Sequence, residues 1–234
     1  MEDSIMISEK LFSKSYSTFW SEVTPWLNSY TQLINKRYLS KPFSSLTEIE
    51  DSKFRSINGI LSFNYYKTWV LSSKPKIADI LKASRAEIKR FPRNHLSEYR
   101  INTTNTKIIE SLAKRLRATY DEDLFFNPAF QGCGILANCE GDLLSKDALI
   151  EVKTGERQIA PSDIRQLLVY VGLNQISGGL YKINEVQYFN PRKGVLWRSR
   201  LDDLFRSIST IPVSDFSYEL ASFLILQSDE FTFD

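Results

Sequence analysis

The stretch that decides the fold covers residues 141–155 and reads GDLLSKDALIEVKTG. Strand side chains alternate between faces, so Glu151 and Lys153 share one face of a predicted strand. A two-residue turn at 146–147 closes an antiparallel hairpin and brings Asp142 opposite Glu151, with Cβ atoms roughly 5 Å apart. Two carboxylates at that distance repel each other unless a cation lies between them. The spacing therefore predicts a divalent metal site, with Lys153 at its edge.

The trio of Asp142, Glu151 and Lys153 resembles the signature of the PD-(D/E)XK nuclease superfamily. In that family an Asp ends one core strand, and an acid, any residue and a Lys follow on the next; Gly141 replaces the usual proline. The resemblance implies a Mg²⁺-dependent enzyme, with Mn²⁺ able to substitute, that hydrolyses DNA phosphodiester bonds. It implies Asp142, Glu151 and the Val152 carbonyl as metal ligands, and Lys153 as the group that orients or helps to deprotonate water.

A second match lies after the hairpin. Gln166 and Tyr170 are one helical turn apart and resemble the Gln-x-x-x-Tyr helix of the RecB-like branch, which includes Cas4-type exonucleases. The resemblance implies that this pair contacts DNA phosphate or positions the lysine. Glu110 occupies the helix before the sheet, where many family members carry an acid or His that reaches the metal; an exposed helical Glu is the alternative. The resemblance covers roughly residues 106–200.

Hydrophobic periodicity predicts an α/β fold. The element order matches the αβββαβ core of the restriction-endonuclease-like fold, with a mixed sheet and a preceding α-helical N-terminal region. Helices are predicted over 9–39 (with a break at Thr24-Pro25), 54–69, 76–90, 106–120, 163–173 and 214–227, and strands over 124–132, 134–144, 148–154, 185–189 and 194–197.

The same pattern divides the chain into three regions. Residues 1–105 form a helical N-terminal region for DNA or partner contact, residues 106–200 the nuclease core, and residues 201–234 an acidic C-terminal helical extension. Residues 74–120 carry twelve Lys and Arg against four acids, whereas residues 201–234 carry seven acids and one base. The basic segment predicts a track for a phosphate backbone, and a solvated helix face is the alternative.

Several classes of protein are excluded or disfavoured. No apolar run approaches the ~20 residues needed to span a bilayer, and residues 1–4 lack the start of a signal peptide, so we expect a cytoplasmic protein. Cys133 and Cys139 suit neither a structural zinc site nor a four-cysteine iron–sulfur cluster, and buried free thiols are favoured. The single histidine, His95, excludes chemistry that needs a pair.

The leading hypothesis is a Mg²⁺-dependent deoxyribonuclease that works as a subunit of an antiviral defence or repair assembly. No Walker-type loop is present, so a helicase or ATPase partner would be another polypeptide. The alternatives are a non-cleaving nucleic-acid-binding or assembly subunit on the same fold, and a nuclease acting on RNA. The sequence does not distinguish an exonuclease from an endonuclease, one bound metal from two, or a monomer from a homo-oligomer.

Overall fold

The computed structural model describes residues 6–48, 50–72, 75–89 and 97–230. It has an α/β fold in which helices precede a mixed five-stranded sheet, as the periodicity predicts. Within those ranges, no helix combines the length and the apolar character needed to cross a membrane.

The central sheet has the strand order β1-β4-β5-β6-β7, and only β5 and β6 run parallel. A separate two-stranded sheet pairs β2 with β3. The bounds are β1 Leu124–Phe126, β2 Ala129–Phe130, β3 Cys139–Glu140, β4 Leu143–Ser145, β5 Ala148–Val152, β6 Glu185–Asn190 and β7 Val195–Arg200.

The predicted strands 124–132 and 134–144 are each divided in two. Asn127 has a left-handed backbone with φ of +54°, which ends β1 and turns the chain into the small sheet. Its amide donates to the Asp142 carbonyl at 3.0 Å. Asp142 lies between β3 and β4, so the second predicted strand is interrupted beside the first. Sequence alternation alone did not reveal these two breaks.

The hairpin has the predicted register. Ser145 pairs with Ala148 and Leu143 with Ile150 across the turn at 146–147, where Lys146 has φ of +56°. Asp142 lies one residue beyond the last paired position of β4. The register therefore brings it to the end of β5 that carries the acid and the lysine.

The first predicted helix, 9–39, breaks at Thr24 as expected, and it also breaks at Tyr16, whose φ of +53° the sequence did not reveal. The predicted end of the 76–90 helix lies outside the described residues. The helices are α1 Glu9–Lys14, α2 Ser17–Val23, α3 Leu27–Leu33 (continued by a π-helical turn, Ile34–Tyr38), α4 Arg55–Ser72 (preceded by a 3-10 turn, Ser52–Phe54), α5 Ile77–Ala83, α6 Arg85–Ile88, α7 Thr103–Thr119, α8 Pro161–Ile176, α9 Leu201–Ile208 and α10 Val213–Glu230.

Helices cover both faces of the sheet. On one face, Ala113 of α7 packs in a cluster with Ile150 of β5. On the other face, α8 covers the sheet between β5 and β6, and its Leu167 shares a cluster with Leu149, Phe12 of α1 and Phe216 of α10. Because side chains alternate along β5, Glu151 and Lys153 follow Leu149 on the α8 face. This face therefore carries the candidate site.

Candidate active site

Asp142 is fixed at the end of the hairpin. Its carboxylate Oδ2 accepts a hydrogen bond from the Val152 amide at 2.7 Å, and its carbonyl accepts from the Asn127 amide at 3.0 Å. The side chain is thereby held against the end of β5. The Val152 amide is the contact that the structure shows, and its carbonyl as a metal ligand stays a prediction.

Glu151 and Lys153 lie together on the α8 face, as their spacing predicts. Glu151 is only 3% exposed, and its Oε1 forms an ion pair with Lys153 Nζ. The same ammonium donates to Gln166 Oε1 at 3.1 Å. Lys153 therefore bridges the acid of β5 and the amide of α8.

The surroundings of Asp142 raise the pKa of its carboxyl group. Burial, and next the charge of Glu151, raise the pKa of Asp142 to about 7, and the charge of Lys153 offsets this only in part. Burial alone would lower the pKa of Lys153, but the charges of Glu151 and Asp142 outweigh it and raise the value. The lysine is thus an ammonium at neutral pH, beside acids whose negative charge is incompletely balanced.

Gln166 and Tyr170 form one hydrogen-bonded unit with the lysine. Gln166 Nε2 donates to the Tyr170 hydroxyl at 2.7 Å, which leaves Gln166 Oε1 directed at Lys153. Burial raises the pKa of Tyr170, and its ring stacks on Phe130 with centroids 5.1 Å apart. The Gln-x-x-x-Tyr pair is placed to orient the ammonium of Lys153.

Glu9 of α1 is a site residue that sequence reasoning missed. It is 9% exposed, and its Oε1 lies 3.5 Å from Gln166 Nε2 and 3.4 Å from the Tyr170 hydroxyl. An acid in the first turn of a helix is common, because it is favoured by the helix dipole. The available signal was that Glu9 falls on the apolar stripe of α1, three residues before buried Phe12.

Glu110 is not brought to the trio. It lies half-buried on α7, which covers the opposite face of the sheet from Glu151, and its charge acts on Tyr65 of α4. No local pattern in the sequence tells which helix covers which face. Glu9, by contrast, contacts Gln166 and Tyr170 on the α8 face.

The site opens onto a large groove. One part of the groove has a volume of about 860 Å³ and another of about 790 Å³, and both are lined by Asn127, Glu140 and Asp142. Glu9 lines the first part, beside buried Cys139, whose pKa burial raises to about 12. The groove gives a ligand access to Asp142 from solvent.

Two side chains of the β6–β7 turn region fix the backbone just after Lys153. Arg192 is 5% exposed, and its Nε donates to the Thr154 carbonyl at 2.6 Å. Asn190 Nδ2 donates to the Gly155 carbonyl at 2.7 Å. Both contacts join positions more than thirty residues apart, so no local sequence pattern signals them. They hold the strand end from which the lysine projects.

The predicted basic track is only partly available for a ligand. Arg100 and Arg115 donate to backbone carbonyls, and Arg117 lies 4.3 Å from the ring centroid of Trp69. Lys74, Arg90 and Arg93 lie outside the described residues. The remaining bases are exposed, namely Lys76, Lys82, Arg85, Lys89, Lys107 and Lys114.

The donor set fits magnesium. No group of three or more His, Cys, Asp and Glu side chains within the described ranges has the arrangement of a metal cage. Mg²⁺ does not require one, since it is usually bound by one or two carboxylates, with waters and substrate phosphates completing the shell. Asp142 and Glu151 supply two carboxylates, and burial together with the charge of Glu151 disfavours the ionised form of Asp142, which a bound cation would favour.

Comparison with protein-family models and with curated proteins finds no match for this chain.

Proposed function

We propose that the protein is a metal-dependent nuclease that hydrolyses phosphodiester bonds of DNA. The observation that carries the proposal is the pair of neighbouring carboxylates of Asp142 and Glu151, with Lys153 ion-paired to Glu151 and Asp142 lining a groove. The element order α7-β1-β4-β5-α8-β6 agrees with the αβββαβ core expected from the resemblance, with β2 and β3 as an addition. This agreement supports the proposal.

Asp142 and Glu151 are the residues that would hold Mg²⁺. When bound, the ion supplies Lewis-acid polarisation of a phosphate oxygen and makes water more acidic. Asp142 is kept in place for this task by the Val152 amide, and Glu151 by its burial in β5.

Lys153 is suited to stabilising charge. Its pKa is raised, so it donates hydrogen bonds rather than accepting a proton at neutral pH. In hydrolysis a bond forms from the oxygen of water to phosphorus, and the bond from phosphorus to the leaving sugar oxygen breaks. Negative charge grows on the phosphate oxygens meanwhile, and a positioned ammonium lowers the energy of that state. Gln166 and Tyr170 hold the ammonium in position.

The proposal is tested by incubating the protein with linear, circular and single-stranded DNA and with RNA, in Mg²⁺ and in EDTA. We expect cutting of DNA in Mg²⁺ only, and loss of cutting in Glu151→Gln. The control is Glu122→Gln, which removes an exposed acid at the opposite end of the hairpin, where Glu122 pairs with Lys146.

Cutting that survives in both EDTA and Glu151→Gln would overturn the proposal. Cutting of RNA alone would replace DNA by RNA as the substrate. A folded protein that binds DNA and Mg²⁺ without cutting would favour the non-cleaving subunit. The helicase or ATPase partner stays a prediction.

A further inference from the structure

A small basic cleft adjoins the candidate site. Its volume is about 130 Å³, and Lys153 and Gln166 form part of its wall. Lys10 of α1 lines both this cleft and the larger part of the groove, so the two spaces meet along α1. The remaining lining residues are Ser13, Lys14, Arg157, Ser162 and Asp163.

The cleft carries surplus positive charge. Arg157 is paired through both terminal nitrogens with the Asp163 carboxylate, and Lys153 is paired with Glu151. Lys10 and Lys14 are exposed and form no ion pair or side-chain hydrogen bond with any other residue that the structure describes. The charge of Lys10 acts on Asp142, but the side-chain donors of both lysines are left to meet an anionic ligand.

The size of the cleft restricts that ligand. The volume of about 130 Å³ is well below the roughly 300–1,000 Å³ of pockets for drug-sized ligands. The cleft therefore suits a small anion such as a phosphate group. The nucleotides of a strand would have to lie in the groove, where the volume is about 860 Å³.

We propose that this cleft binds the terminal phosphate of the nucleic-acid strand that the enzyme cuts. A terminal phosphomonoester carries roughly −1.5 to −2 at neutral pH, against −1 for an internal diester, and this charge matches the two unpaired lysines. The strand lies in the groove with its end phosphate between Lys10 and Lys14, next to Lys153. Cleavage therefore occurs close to a phosphorylated end. The inference rests on the proposed nuclease function.

The test measures binding and cutting separately. Fluorescent single-stranded oligonucleotides with a 5′-phosphate, a 3′-phosphate or hydroxyls at both ends are titrated with the full chain in EDTA, where no cutting is expected. One of the two phosphates is expected to tighten binding about tenfold, the effect of hydrogen bonds to a charged group. Lys14→Gln is expected to lose this preference. Lys146→Gln, at the far end of the hairpin, is expected to keep it.

Equal binding of all three oligonucleotides by the wild-type protein would overturn the inference, as would a preference that persists in Lys14→Gln. The proposed function fails differently. If the protein prefers a phosphorylated end but never cuts in Mg²⁺, the phosphate-binding inference stands and the nuclease proposal fails. If the protein cuts but binds all three oligonucleotides equally, the nuclease proposal stands and the phosphate-binding inference fails.

Discussion

Neutralising Asp142 is expected to stabilise the metal-free protein while destroying its activity. Asn has nearly the shape of Asp, and its side-chain oxygen can still accept the hydrogen bond from the Val152 amide. The substitution removes one of two carboxylates that repel each other, since burial and the charge of Glu151 raise the pKa of Asp142 from 3.8 to about 7.

The expected magnitude follows from this pKa. Because the folded-state value is the higher one, the fold favours the protonated acid, and stability is lost as the pH rises from about 4 through about 7. A difference of about three pKa units corresponds to at most about 4 kcal/mol above pH 7, at about 1.4 kcal/mol for each. The new side-chain NH₂ group needs a hydrogen-bond acceptor, which the carboxylate did not need, and this offsets part of the gain. We therefore expect the free energy of unfolding of Asp142→Asn to exceed that of wild type by about 1–3 kcal/mol at pH 8.

Urea unfolding in EDTA at pH 5 and pH 8 measures the effect. The advantage of Asp142→Asn over wild type should be about 2–3 kcal/mol larger at pH 8 than at pH 5, because between these pH values the unfolded acid is ionised while the folded acid stays mostly protonated up to about pH 7. The matched control is Asp147→Asn in the turn of the same hairpin. The hydrogen bond from Asn184 lowers the pKa of Asp147, so this variant should lose stability at pH 8.

Added Mg²⁺ should then stabilise wild type, by RT ln(1 + [Mg²⁺]/Kd), and leave Asp142→Asn nearly unchanged. An Asp142→Asn protein that is less stable than wild type by the same amount at both pH values would refute the reasoning. It would show that burial and the charge of Glu151 do not raise the pKa of Asp142 in the fold.

Two further substitutions test the surroundings of the lysine. Tyr170→Phe keeps the stacked ring but removes the hydroxyl that orients Gln166. We expect an initial cleavage rate about tenfold lower and a free energy of unfolding in urea about 1 kcal/mol lower, and an unchanged rate would exclude the orienting role. Gly59→Ala would place its Cβ 2.1 Å from Thr154 Oγ1, so we expect its free energy of unfolding, measured by thermal unfolding, to fall by about 1–3 kcal/mol. The control is Gly155→Ala, whose Cβ meets nothing within 4 Å and which should be as stable as wild type; equal losses in the two variants would contradict this packing.

The hairpin and its acids were predictable because the information is local. Asp142, Glu151 and Lys153 lie within twelve residues of one another, and strand alternation with a two-residue turn determines their register. The pair Gln166 and Tyr170 was predictable for the same reason, since one helical turn separates them.

The rest of the site depends on contacts that sequence spacing does not encode. Glu9 reaches Gln166 across 157 residues, and its position depends on α1 packing against α8. Glu110 has the same residue type and also lies on a helix, but α7 covers the opposite face of the sheet. Which helix covers which face is decided by tertiary packing, so the sequence pattern did not indicate that Glu9 contacts Gln166 and Tyr170.

The most direct test of the nuclease assignment is the rate of DNA cleavage in Mg²⁺ by Lys153→Met and by Lys146→Met, compared with wild type. Both variants lose one lysine of the same hairpin, but only Lys153 adjoins the two acids. We predict that Lys153→Met, with its fold verified by circular dichroism, cuts about a hundredfold more slowly or worse, and that Lys146→Met cuts at the wild-type rate. Equal rates for all three proteins would contradict the account.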